Sequence, residues 1–155
     1  MLFKEGTKAP SFTAKNQDGQ KVSLKDFQGK WLVLYFYPKD NTPGCTIEAK
    51  DFTQLKKEFE KMNAVIIGVS KDSVKSHCSF IEKQGLKIDL LSDENQEMLE
   101  SYKVWDKKKF MGREFMGIIR STFLINSEGK IVAEWSPVKV NGHAQEVLDK
   151  LKELA

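Results

Sequence analysis

Cysteine is scarce in this chain: only Cys45 and Cys78 occur among its 155 residues. Two cysteines cannot build a disulfide-dense scaffold or supply four thiolates to zinc. Histidine is equally sparse. His77 and His143 lie far apart in the sequence with no ligand spacing between them, so no metal site is expected. Neither sign of charge dominates, since 25 Lys and Arg face 22 Asp and Glu for a net charge of +3. That balance argues against a protein that coats nucleic acid or binds membranes through a polybasic stretch. Long hydrophobic runs are missing too. The longest, Trp31 to Tyr37, falls far short of the roughly 20 residues that span a bilayer. No apolar stretch followed by small residues marks a signal peptide, and the expectation is a cytoplasmic protein whose thiols stay reduced.

What is present suits one folded domain over residues 1–155, with 40% hydrophobic and 10% aromatic residues to fill a core. Strand-like and helix-like segments alternate. Phe12–Lys15 and Gln20–Ser23 flank an Asn16-Gln17-Asp18-Gly19 turn and predict an N-terminal hairpin. Trp31–Tyr37 and Ala64–Ser70 are continuous apolar runs of the kind buried on both faces. Between them, Phe52, Leu55, Phe59 and Met62 recur at helical spacing and predict a helix from about Pro43 to Met62. A second helix is predicted from Asp72 or Ser73 to Gln84, closed by Gly85, with Val74, Cys78 and Ile81 on one stripe. A strand over Ile88–Ser92, a helix over Glu94–Val104, and a hairpin of Arg120–Ile125 with Lys130–Trp135 follow. A last helix over His143–Leu154 turns Val147, Leu148, Leu151 and Leu154 inward. The sum is an α/β fold with a mixed sheet flanked by helices. Lys107-Lys108-Lys109 with Phe110 and Arg113 reads as a solvated hairpin, and Trp31, Trp105 and Trp135 as packing aromatics.

Cys45 falls in the first turn of the predicted helix, just after a buried strand. Unpaired amides and the positive end of the helix dipole meet there, and both favour a thiolate, the reactive form of sulfur. Strand ends in α/β sheets are also where ligand clefts open. Pro43 and Gly44 remove one backbone donor and one side chain, so a small substrate can come close to the backbone. Thr42 occupies the slot where a C-x-x-C redox motif would carry a second sulfur. Local dithiol exchange is therefore impossible, and a hydroxyl stands ready to donate to or accept from an oxygen substrate.

The run Pro38-Lys39-Asp40-Asn41-Thr42-Pro43-Gly44-Cys45 resembles the P-x-x-x-T-x-x-C signature of the peroxiredoxins. The likeness extends to Ala9-Pro10-Ser11-Phe12, Asp18-Gly19, Gly29-Lys30-Trp31 and the arginine-bearing strand Arg120-Ser121-Thr122-Phe123. Gly142-His143-Ala144 resembles the Q-type branch, also called bacterioferritin comigratory protein. The resemblance implies a thioredoxin-like fold and a thiol-dependent peroxidase that needs no metal, haem or flavin. It implies that Cys45 is the peroxidatic cysteine, oxidised to a sulfenic acid by hydrogen peroxide or organic hydroperoxides. Thr42 and the backbone near Gly44 and Cys45 would act as donors, and Arg120 as the cation that holds thiolate and peroxide. Pro38 and Pro43 would line the substrate pocket, and Glu48, one turn after Cys45, would orient Arg120. Met111-Gly112 and Met116-Gly117 bracket a loop that would border the site and shape an apolar entry for alkyl peroxides.

The likeness departs from the commonest Q-type pattern at Lys50, where a second cysteine often stands. Cys78 is then the candidate resolving cysteine, with an inert packed thiol as the competing reading of its apolar stripe. A disulfide needs Cα atoms within roughly 7 Å, so the first turn around Cys45 would unwind to carry the sulfenic acid across. Thioredoxin is the reductant the resemblance implies, with glutaredoxin or glutathione as variants, and a monomer is the implied state. Two rivals stand beside this reading: a thiol–disulfide oxidoreductase, and a thioredoxin-like chaperone or peroxide sensor that is oxidised once without turnover.

Overall fold

The computed structural model describes residues 1–155. Along the chain run β1 (Thr7–Lys8), β2 (Thr13–Lys15), β3 (Lys21–Ser23), β4 (Trp31–Phe36), α1 (Pro43–Lys61), β5 (Ala64–Ser70), α2 (Val74–Gln84) and β6 (Asp89–Ser92). They are followed by α3 (Glu97–Ser101), β7 (Trp105–Phe110), β8 (Arg113–Ile118), β9 (Ser121–Ile125), β10 (Lys130–Trp135) and α4 (His143–Leu154). Eight strands form one mixed sheet in the order β1-β10-β9-β4-β5-β6-β2-β3, and β7 pairs with β8 in a separate hairpin.

The parallel centre is β4-β5-β6, joined through α1 and α2. Two right-handed crossovers that step the same way along a sheet put both helices on one face. The side chains of β4 alternate accordingly. Val33, Tyr35 and Tyr37 enter a core shared with Phe52 and Phe59 of α1, Phe80 of α2 and Val147 and Leu148 of α4. Leu32, Leu34 and Phe36 enter the opposite core with Met98, Leu99 and Tyr102. Tyr35 fits only because its parallel partner is Gly68, where a Cβ would stand 2.8 Å from the Tyr35 ring and 2.8 Å from Leu90.

Most predicted elements appear within a residue or two of their expected ends, and the structure corrects four details. The helix expected over Glu94–Val104 shrinks to α3. The Asp93 carboxylate accepts the amides of Met98 and Leu99, and Gln96 and Lys103 adopt positive φ at either side, so a longer helix has no room. The face that α2 buries is His77 and Phe80, while Val74, Cys78 and Ile81 form a half-buried shoulder beside it. Leu154 is exposed as the last residue of α4, with Val147, Leu148 and Leu151 buried as expected. Arg120 lies one residue ahead of β9 rather than in it. Ser73 caps α2 by accepting the Ser76 amide, and Gly85 closes it at φ 63°. The three tryptophans are partly buried against the two cores.

Gly68→Ala is expected to lower stability by about 1–3 kcal/mol through overpacking against Tyr35 and Leu90. An unchanged denaturant midpoint would show that the Tyr35 ring can yield.

Candidate active site

The chain leaves β4 through Tyr37 and enters α1 at Thr42, the N-cap, in an extended conformation (φ −91°, ψ 153°) with Pro43 in the first turn. No side chain caps this helix start. The Thr42 hydroxyl turns back instead and donates to the Lys39 carbonyl at 2.7 Å. Its proton is thus engaged within the loop, and its free capacity at the helix start is as an acceptor. That corrects the expected donor role in this state of the protein. Pro38 and Gly44 are half-buried and Pro43 is exposed.

Cys45 is the third residue of α1 and only 1% exposed. Glu48 lies one turn on and is equally buried. Residues three apart share a helix face, and one guanidinium serves both. Arg120 Nη2 donates to Cys45 Sγ at 3.3 Å, while Nη1 donates to Glu48 Oε1 at 2.6 Å. Glycine at position 44 leaves room for this fork, since a Cβ there would lie 3.3 Å from Arg120 Nη2. The Arg120 carbonyl accepts the Val138 amide at 2.8 Å, which anchors the backbone behind the guanidinium.

The charges are held under tension. Burial raises the Glu48 carboxyl to about 7, against the opposing pull of Arg120. Burial alone would lower Arg120, but Glu48 and Cys45 outweigh it and hold the guanidinium above its ordinary value. Glu48 Oε2 has no hydrogen-bond partner, and neither does the Tyr35 hydroxyl. Burial pushes Tyr35 upward first, then the negative charges of Glu48 and Cys45 push it further. Lys108 adds a second cation: its ammonium donates to the Ile118 carbonyl at 2.9 Å. Its pKa is lowered by burial and then by Arg120.

The fold therefore brings together Cys45, Arg120 and Glu48, with Thr42 and Gly44 at the same helix start. It keeps Cys78 apart, half-buried on α2, with its thiol 4.0 Å from Glu82 Oε1 and both cysteines free. Tyr35 and Lys108 were missed in the sequence. The alternation of β4 could have aimed Tyr35 at α1, whereas nothing in the Lys107–Lys109 run singles out its middle lysine. The histidines also gain partners that spacing did not reveal. His143 Nε2 meets Thr122 Oγ1 at 2.8 Å, and His77 meets Asp40 at 2.7 Å. A surface cavity of about 750 Å³ lies between α4 and β10 and does not include Cys45.

A thiol at a helix start, bridged by arginine to a buried carboxylate, defines a cysteine-based redox site. The AhpC/TSA family matches residues 6–134 of the chain. A peroxiredoxin Bcp of Bacillus subtilis is 48% identical over 155 residues, covering 100% of this chain and 99% of that protein. A putative peroxiredoxin bcp of Helicobacter pylori (strain J99) is 53% identical over 146 residues, covering 94% and 96% of the two chains. A solved structure of the Xanthomonas campestris bacterioferritin comigratory protein, studied for its alkyl peroxide reduction, superposes with a TM-score of 0.88. It is 46% identical and covers 92% of this chain and 90% of its own. The chain belongs to the AhpC/TSA family and is a thioredoxin-fold peroxiredoxin, a thiol peroxidase of the Bcp or Q group.

The raised Glu48 carboxyl sets a pH dependence. Its folded value of about 7 exceeds the ordinary 4.5, so the folded state holds this proton more tightly than the unfolded chain. Stability then falls as pH rises from 4.5 to about 7. Glu48→Gln should abolish that part of the slope, so wild type loses up to about 3 kcal/mol relative to the variant across the window. Denaturant midpoints at pH 5 and pH 8 measure it, and parallel slopes for the two proteins would contradict the assignment.

Proposed function

We propose that Cys45 is the peroxidatic cysteine and that the Arg120 fork is its electrostatic partner. The 3.3 Å contact between guanidinium and sulfur carries this reading. The Cys45 thiolate attacks one peroxide oxygen. A sulfur–oxygen bond forms, the oxygen–oxygen bond breaks, and the leaving alkoxide or hydroxide takes a proton to become alcohol or water, giving a sulfenic acid. Negative charge spreads from sulfur to both oxygens on the way, where Arg120 and the uncapped amides of α1 can stabilise it. Thr42, whose hydroxyl accepts at this helix start, takes the peroxide proton's hydrogen bond. Pro38, Pro43 and Gly44 line the approach, and Glu48 fixes the angle of the guanidinium. Hydrogen peroxide and organic hydroperoxides are the substrates; the alkyl peroxide reduction described for the Xanthomonas protein supports the second class.

Cys78 then acts as the resolving cysteine. Its thiol attacks the Cys45 sulfenic sulfur, a disulfide forms, and the hydroxyl leaves as water with the thiol proton. A cysteine residue that is 1% exposed can meet neither Cys78 nor a protein reductant in place, so the first turn of α1 opens after oxidation. A dithiol reductant, thioredoxin, returns both cysteines to thiols in a reducing cytoplasm, and the enzyme works as a monomer. The separation of Cys78 from the site in the reduced fold favours one alternative, a one-cysteine cycle resolved by an external thiol.

Peroxide turnover with a thioredoxin system on three proteins tests the scheme. Cys45→Ser should lose turnover entirely. Cys78→Ser should consume about one equivalent of peroxide and then stop with thioredoxin, since the attack needs only the first sulfur. Full turnover of Cys78→Ser with glutathione would move the protein to the one-cysteine cycle. A single stoichiometric oxidation of wild type would make it a sensor, and activity in Cys45→Ser would overturn the assignment.

A further inference from the structure

The loop that delivers Cys45 to α1 is tied to the helix that carries Cys78. Asp40 sits midway between Tyr37 and Pro43 and is 5% exposed, unusual burial for a loop carboxylate. Its backbone N–H donates to Asp72 Oδ2 at 2.9 Å, on the turn into α2. Its carboxylate accepts the Tyr37 hydroxyl at 2.6 Å, the Ser76 hydroxyl at 2.8 Å and His77 Nδ1 at 2.7 Å. His77 immediately precedes Cys78 and is fully buried. Its second nitrogen, Nε2, meets the Leu91 carbonyl of β6 at 2.9 Å. Both ring nitrogens thus face acceptors, and the ring joins the Cys45 loop, α2 and the sheet in one knot. Asp72 is held in turn by the Ser70 hydroxyl at 2.7 Å. None of these groups hydrogen-bonds Cys45, Arg120 or Glu48, and the peroxide chemistry does not use them.

We propose that His77 is a positioning residue: through Asp40 it latches the Cys45 loop onto the first turns of α2, so that the loop opens and the Cys78 region loosens in one step. The inference rests on Cys78 being the resolving cysteine. While the latch is closed, the loop is held in the form that presents Cys45 to Arg120. For the sulfenic acid to travel, Thr42 and Asp40 must move, and Asp40 can move only by giving up Ser76 and His77. Those same bonds hold the first turn of α2, immediately ahead of Cys78. The bonds broken to free one sulfur therefore free the surroundings of the other.

The test uses the full chain as wild type, His77→Leu, and Asp40→Asn as the conservative variant that keeps one acceptor oxygen. Two readouts apply. The first is hydrogen exchange of the reduced protein at residues 38–46 and 73–79. The second is the pair of rates, sulfenic acid formation and disulfide formation, from acid-quenched samples after one equivalent of hydrogen peroxide. Losing the ring bond to Asp40 should speed exchange in both segments by about tenfold, with β4 unaffected. Disulfide formation should quicken by a similar factor while attack on peroxide slows, because a smaller fraction of the protein holds the competent loop. Asp40→Asn should fall between the two. A merely structural role would speed exchange everywhere and would not split the two rates in opposite directions. Faster exchange in one segment alone, or unchanged disulfide formation with a Cys45–Cys78 bridge present in wild type, overturns the latch. If wild type forms no such bridge, the resolving role fails instead, and the exchange pattern alone decides the latch. Should His77→Leu not fold, Ser76→Ala removes one bond to Asp40 from a half-buried position. No increase in its exchange at either segment would overturn the proposal equally.

Discussion

The guanidinium of Arg120 is the point on which this site depends. It reaches α1 from the residue just ahead of β9 and makes two contacts at once, with the sulfur of Cys45 and the carboxylate of Glu48. Each contact conditions the other. Glu48 is buried with one oxygen left unpartnered, a costly arrangement for a carboxylate. The arginine offsets part of that cost and in return is held at a fixed angle. An arginine so held keeps its donors aimed at the sulfur, the preorganisation that the proposed peroxide step would use. Much of the surrounding packing keeps this fork in place: glycine at 44, the turn that anchors the Arg120 carbonyl, and the aromatic floor of Tyr35, Tyr37 and Phe52.

The sheet supplies the rigid frame. Because β4 is buried on both faces, its end is a fixed point from which the loop of residues 38–42 is launched. Because α1 and α2 follow parallel neighbours, their N-termini lie toward the same end of the sheet. The two cysteines therefore ride on adjacent helices over the same face, with the buried polar knot of Asp40, Asp72 and His77 between loop and helix. This arrangement satisfies two opposing demands. In the proposed cycle a closed loop presents the sulfur to peroxide, and an open one passes the oxidised sulfur on. Hydrogen bonds suit that task better than apolar packing, since they are strong when satisfied inside and can be exchanged for water when the loop opens.

Legibility in the sequence followed the range of the interaction. Periodicity located the three long helices and the long strands of the main sheet, though not β7 and β8, and Gly85 and Ser73 marked the ends of α2, because caps and apolar stripes are local properties. It failed at α3, where a side chain from outside the helix, Asp93, claims the amides and shortens it. The stripe of Val74, Cys78 and Ile81 is half-buried, as partial packing requires, but the deeper face of α2 went unread because the buried His77 looks polar. The spacing of Pro38, Thr42 and Cys45 carried the family resemblance, and Arg120 followed from it. Lys108 and Tyr35 did not, because nothing near them in sequence records the neighbours they meet across the fold.

By itself, then, the sequence determined the class of chemistry. One cysteine at a helix start, with a threonine where a second sulfur would stand, leaves a thiol that must react with something other than its neighbour. It also determined the order of strands and helices, since those follow from side-chain periodicity and turn residues. Only the tertiary structure decided how the charges are shared. That Arg120 serves Cys45 and Glu48 together, that burial lifts Glu48 to about 7, and that His77 grips Asp40 all depend on segments distant in the chain. Burial and hydrogen-bond geometry are properties of the packed interior, and a linear sequence does not contain them until it folds.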